Sequence, residues 1–226
     1  MTKTKTRLTM MSLFMLTAIG MSTQLSASLI LDSYPSGVEN PTTLGSHTMT
    51  AFDFVTGAAS VDRVASPISG EVLFKRENGT ALDLDRSTAG VTPWWASSDD
   101  YNIFTTSEHW ITLLLPANTY AFSFNVGANQ SASGWLKAEA YDGSVINKTT
   151  FSGFGNSSAP GFGVYSDNSS CSAIKSITVE PPFIWGVGNF AISQSDCTNS
   201  VPEPSIIALF AAGLFGIGLT RRRKHS

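Results

Sequence analysis

The clearest periodicity along the chain is Ala121-Phe122-Ser123-Phe124-Asn125-Val126, where Phe122, Phe124 and Val126 recur at every second position. A period of two places those three side chains on one face of a strand. Gly134-Trp135-Leu136-Lys137-Ala138-Glu139-Ala140-Tyr141 alternates likewise, stops at Asp142-Gly143 and resumes as Ser144-Val145-Ile146, which predicts a hairpin. Short apolar or alternating runs predict further strands over 49–55, 71–75, 111–115, 161–165, 174–180 and 188–193. Sustained helical periodicity is absent from this central region. Many short strands divided by turn residues predict an all-β domain over 29–197, an antiparallel β-sandwich of jelly-roll type. The stretch 29–46, with Pro35, Gly37, Pro41 and Gly45, reads as an irregular lead-in.

The two ends follow a different pattern. Lys3, Lys5 and Arg7 precede an apolar run from Leu8 to Met21, and Ser26, Ala27 and Ser28 close the segment. That order predicts a secretory signal peptide over 1–28, cleaved after Ala27 or Ser28. At the other end, a brief linker from Thr198 leads to Val201-Pro202-Glu203-Pro204. The prolines fix their own φ and push Val201 and Glu203 toward extended conformations, so this tetrapeptide is not helical. Residues 206–219 carry no charge; as a helix they span about 21 Å, short of the roughly 30 Å hydrocarbon core. Arg221, Arg222, Arg223 and Lys224 follow at once, and such a cluster is held on the cytoplasmic side. Ala208, Ala212 and Gly216 recur every four residues, a small face suited to close contact with another membrane helix. A single, short C-terminal transmembrane helix is the expectation.

Charge divides in the same way. The whole chain has a net charge of −3, but residues 28–200 hold seven Lys/Arg against sixteen Asp/Glu, a net of −9. An acidic domain of this kind repels nucleic acid and anionic lipid, so neither is expected as its partner. The two cysteines, Cys171 and Cys197, read as one disulfide in an exported chain, contributing about 3 kcal/mol in the chain-entropy picture.

Here the C-terminal residues carry a resemblance. Val201-Pro202-Glu203-Pro204, the apolar run 206–219 and Arg221-Arg222-Arg223 look like the PEP-CTERM sorting signal of Gram-negative bacteria, covering about a tenth of the chain. The resemblance implies export by the general secretory route, transient anchoring in the inner membrane, cleavage near Pro-Glu-Pro by an exosortase, and delivery to the cell surface or extracellular matrix of polymer-producing bacteria. Pro116-Ala117-Asn118, Phe162-Gly163-Val164-Tyr165 and Asn189-Phe190 are loosely similar to sandwich domains that precede such tails, with Gly188 standing where those domains tend to carry Asp.

Catalytic patterns are sparse. HExxH, GxSxG, a phosphate-cradling glycine loop and paired zinc-ligand spacing are all missing, so no catalytic residue, metal ligand or cofactor is assigned. His47 and His109 are the histidines of the central region, and His109 in Glu108-His109-Trp110 reads as a surface or turn residue. Asp83-Leu84-Asp85 and Asp99-Asp100 offer oxygens to a Ca²⁺, but neither has the spacing of a calcium loop. Asn78, Asn129, Asn147, Asn156 and Asn168 start Asn-x-Ser/Thr triplets and read as turn formers. Threonines lack a fixed period, which argues against a stacked ice-binding face.

Aromatic residues supply the candidate binding surface. In a strand, Trp135, Lys137, Glu139 and Tyr141 share one face, so Trp135 and Tyr141 are the candidate sugar contacts; Trp94-Trp95 is a second aromatic pair. The resulting expectation is a non-enzymatic exported protein that associates with exopolysaccharide. The alternative is a secreted polysaccharide hydrolase using a pair of carboxylates.

Overall fold

The computed structural model describes residues 29–35, 40–57, 59–88, 101–130, 132–154, 159–167, 171–180 and 184–195. Among them every named element is a strand. The alternating run that opens the sequence becomes β11 (Ala121–Ala128), and it lies inside the larger of two antiparallel sheets. That sheet runs β1 (Leu29–Tyr34), β14 (Gly161–Ser166), β11, β16 (Trp185–Ser193), β9 (Asn102–Thr106), β8 (Leu84–Thr88) and β5 (Ala59–Val61), with β4 (Thr50–Ala51) also paired to β16. The smaller sheet runs β13 (Val145–Phe154), β12 (Ala132–Ala140), β15 (Ile174–Glu180), β10 (Ile111–Leu114), β7 (Glu71–Lys75) and β6 (Arg63–Ala65). A separate hairpin pairs β2 (Thr43–Leu44) with β3 (His47–Thr48).

The inward residues of both sheets form one sandwich-like core. Val72, Phe74, Leu113, Leu136 and Ile177 from the smaller sheet join Phe104, Phe122, Phe124, Phe162, Val187 and Phe190 from the larger. Rings meet across the layers, with the centroids of Phe74 and Phe104 5.0 Å apart, and along the larger sheet, with those of Phe122 and Phe190 5.4 Å apart. Each fully buried side chain of this size contributes about 1.5–3 kcal/mol of transfer free energy. Trp185 is fully buried, and its indole Nε1–H donates to the Glu108 carbonyl at 2.7 Å, so the largest ring of the core carries no unpaired donor.

The predicted hairpin forms as its sequence dictates. Gly143 takes φ 88° in the turn, Ser144 N donates to Asp142 Oδ1 at 2.8 Å, and Ala140 N donates to Ser144 O. Strands over 71–75, 111–114, 161–166 and 174–180 also stand where the pattern put them. Residues 49–55 do not form one long strand; only β4 pairs there.

The lead-in differs from expectation. Residues 29–34 form β1, which adds to the edge of the larger sheet beside β14, with Leu31 opposite Val164 and Ser33 opposite Phe162. Leu29 and Leu31 pack on the main core, while Leu44 and Met49 cover the outer face of the sheet over Ala121 and Ala191. A segment punctuated by proline and glycine thus wraps the sheet because its scattered apolar residues have an uncovered face to bury. As a result β11 is buried at all eight positions, on both faces.

Candidate functional site

Strand β16 changes neighbour midway. Its first part, Trp185–Gly188, pairs with β9, and its later Ala191 and Ile192 pair with β4. Between them Ser123 faces Ala191 while Asn125 faces Gly188, so β16 carries one extra residue. This bulge holds Asn189 at φ 51°, a left-handed conformation that asparagine tolerates better than other side-chain-bearing residues. Gly188 permits the close approach of β9, since a Cβ there would stand 2.5 Å from the Asn102 carbonyl oxygen. Bulges recur beside functional sites because they re-aim side chains.

A cleft of about 280 Å³ opens at this point. Its apolar part comes from Phe52, Val64, Phe104 and Phe190, and its polar part from Asn40, Asp53, Tyr101, Asn102 and Asn189. The amides are held in place by one another. Ser123 Oγ donates to Asn40 Oδ1 at 3.1 Å, Asn40 Nδ2 donates to Asn189 Oδ1 at 2.7 Å, Asn189 Nδ2 donates to Asn125 Oδ1 at 3.0 Å, and Asn125 Nδ2 donates to the Ala159 carbonyl at 2.7 Å. Asn102 is fixed separately, accepting from Val55 N and donating to Val55 O. Each amide spends part of its capacity on these bonds and keeps the rest, because an amide offers two donor hydrogens and two acceptor lone pairs. Asp53 is exposed and is the one carboxylate among the described residues that line the cleft, and no Lys or Arg is among them.

The sequence-predicted aromatic surface separates. Trp135, Lys137 and Glu139 do face outward from β12, with Lys137 paired to Glu139. Tyr141, 61 % exposed, falls beyond the end of the strand in the hairpin turn. At about 3.3 Å per residue it lies roughly 20 Å from Trp135. The two rings therefore do not make one platform. Trp110 stands beside Trp135 instead, with centroids 6.5 Å apart and planes inclined by 51°.

The remaining candidates place as follows. His109 is exposed between β9 and β10. His47 is buried and stacks on Tyr120 at 6.4 Å; its Nε2 lies 3.0 Å from the Ser166 carbonyl, so that nitrogen carries the proton and donates. Asp83 and Asp85 are exposed, and no group of three or more potential metal ligands occurs among the described residues. Asn78 caps its own turn by accepting from Thr80 N and Oγ1. Cys171 is not a free thiol, while its predicted partner Cys197 lies outside the described residues, as do residues 1–28, Trp94, Trp95, Asp99, Asp100, Asn156, Asn168 and the whole segment 196–226. Near the covering segment, burial, the charge of Asp32 and then Tyr165 push the Tyr34 hydroxyl up to about 12, and that hydroxyl has no hydrogen-bond partner.

Sequence reasoning missed the cleft because its polar residues come from four separate stretches. The trace it left was Gly186-Val187-Gly188-Asn189, two glycines and an asparagine within one apolar strand, which is the composition of a bulge under close backbone approach.

Compared with known proteins, no curated sequence matches this chain. Residues 200–224 match the PEP-CTERM protein-sorting motif, which implies export, processing by the membrane enzyme exosortase and sorting toward the cell surface.

Proposed function

We propose that the protein is a non-enzymatic jelly-roll domain delivered to the cell surface or extracellular matrix, where it associates with exopolysaccharide. The observation that carries this is the sorting motif at 200–224 behind an all-β domain. In the proposed route, 1–28 directs export, 206–219 anchors the chain transiently in the inner membrane, and cleavage near Pro202-Glu203-Pro204 releases the domain. Strand order supports the jelly roll: from β9 onward the larger sheet reads β9-β16-β11-β14 and the smaller β10-β15-β12-β13. Each strand thus has its sequence neighbour in the opposite sheet, except where β12 and β13 make their hairpin, as in a chain rolled from two Greek keys.

A binding role is favoured over a hydrolytic one because Asp53 is the one carboxylate among the described residues that line the cleft, where a glycosidase needs two flanking the bond. The acidic charge of the central region disfavours nucleic acid. No cofactor is required for this role, and a structural Ca²⁺ at loop carboxylates is left to titration. The test is to incubate the mature protein, recovered from its host, with the host's own extracellular polysaccharide. Retention without new reducing ends is the expected result; accumulation of shortened glycans would replace this function with hydrolysis.

A further inference from the structure

We propose that the cleft at the β16 bulge is a binding site for one neutral glycosyl unit, an inference that deepens the polysaccharide reading and rests on it. Three features of the cleft select that ligand class. First, the polar wall is built from amides, Asn40, Asn102 and Asn189, with Tyr101 beside them. A planar amide presents a donor and an acceptor side by side, which matches a pair of neighbouring hydroxyls that each donate and accept. Second, the rest of the lining is apolar, with half-buried Phe52 and Val64 together with the buried rings of Phe104 and Phe190. The C–H face of a pyranose packs on such a surface while its hydroxyls point to the polar side. Third, among the described residues that line the cleft, the one charge is the negative charge of Asp53. A carboxylate accepts from hydroxyls and repels uronate, sulfate or phosphate, so the ligand is uncharged.

Preorganisation distinguishes this cleft from an ordinary surface dent. The relay from Ser123 through Asn40, Asn189 and Asn125 to the Ala159 carbonyl fixes which amide atoms are spent and which remain. Ser123 and Asn125 are buried under the covering segment, so the relay is anchored in the body of the sheet and the free amide edges need not be ordered when ligand arrives. At about 280 Å³ the space is just under the roughly 300–1,000 Å³ of sites for drug-sized molecules. It suits one ring of a polymer, with the rest of the chain lying outside.

The experiment is calorimetric titration of the mature protein with neutral and uronate-containing oligosaccharides, repeated for Asp53→Ala, Asn40→Ala and Trp135→Ala, each with a thermal melt. Asp53 is exposed and makes no hydrogen bond or ion pair among the described residues, so its truncation leaves the fold intact and the binding result interpretable. The expected result is binding of neutral glycans that changes little with added salt and weakens at least about tenfold in Asp53→Ala and Asn40→Ala, the loss of a hydrogen bond to ligand. Undiminished affinity in those two variants with loss in Trp135→Ala would overturn the cleft and leave the polysaccharide association standing. Preference for uronate-containing glycans would overturn the ligand class. Failure of the unaltered protein to bind any glycan would overturn both.

Discussion

The two sheets bury the same kind of inner face but treat their outer faces differently. On the smaller sheet, Thr112, Leu114, Lys137, Glu139 and Thr178 remain half-exposed, and the Thr112 and Thr178 hydroxyls bond each other at 3.0 Å across the strands. On the larger sheet, the N-terminal segment lays Leu44 and Met49 over Ala121 and Ala191, with Tyr34 and Tyr165 at the margin. The strands under the bare face largely alternate and could be read from sequence; the covered face gains a second, small core, and the cleft opens at the β16 bulge beside it. A half-covered sheet therefore provides both a buried anchor for the asparagine relay and an opening beside it.

Matched truncations break this comparison most sharply. Leu44→Ala on the covered face, where the side chain is 2 % exposed, is expected to cost about 2–5 kcal/mol. Leu114→Ala on the bare face is expected to cost less than about 1 kcal/mol, because the side chain already meets water. Equal losses in chemical denaturation would mean that the N-terminal segment does not cover the sheet. Asn189→Ala comes next, at about 1–3 kcal/mol: it strands Asn40 Nδ2 and Asn125 Oδ1 and places alanine at positive φ. Asn189→Gly keeps the backbone freedom and loses only the amide, so a melt of the pair separates the two contributions.

Gly163→Ala tests how closely the cover sits. An added Cβ would stand 2.6 Å from the Tyr34 hydroxyl and 2.7 Å from Leu44 Cδ1, and overpacking of this kind costs about 1–3 kcal/mol. A stable Gly163→Ala protein with unchanged melting would show the cover to be loose. Tyr34→Phe has the smallest expected effect at neutral pH, neutral to about 1 kcal/mol stabilising, since the hydroxyl it removes is buried without a partner. Its signature is alkaline. The folded hydroxyl titrates at about 12, above the ordinary 10.0, so between those values the folded state binds more protons than the unfolded one. The stability this group contributes is whole below pH 10 and is lost as pH rises through about 12. Tyr34→Phe should flatten that part of the stability profile, and an unchanged alkaline limb would remove Tyr34 from the explanation.

Sequence pattern located the strands whose two faces differ or whose run is continuously apolar: β7, β10, β11, β12, β14 and β15 were legible from period or from apolar runs bounded by turns. It did not locate β1, β5, β6, β8 or β9: β5 and β6 are three residues long, β8 and β9 meet the core through only one or two residues, and β1 is an edge strand in a stretch whose prolines and glycines read as a lead-in. In the candidate site, Trp135's outward direction followed from alternation, whereas Tyr141's position did not, because the strand ends at Ala140 before reaching it. The Asn40–Asn189 contact spans 149 residues of sequence and depends on a cover whose existence the proline and glycine of 35–45 concealed. The sorting motif was legible because it is linear, a run of neighbouring residues at 200–224 that needs no fold to assemble it.

The most direct test of the central claim is intact mass spectrometry of the protein recovered from its native host, beside the same protein from a strain lacking the exosortase. The predicted result is a species beginning near Ser28 and ending between Val201 and Pro204, found only when the enzyme is present, and lighter by the two hydrogens of a Cys171–Cys197 bond. Retention of residues 206–226 in both strains would contradict it and leave the protein a permanent membrane-anchored chain.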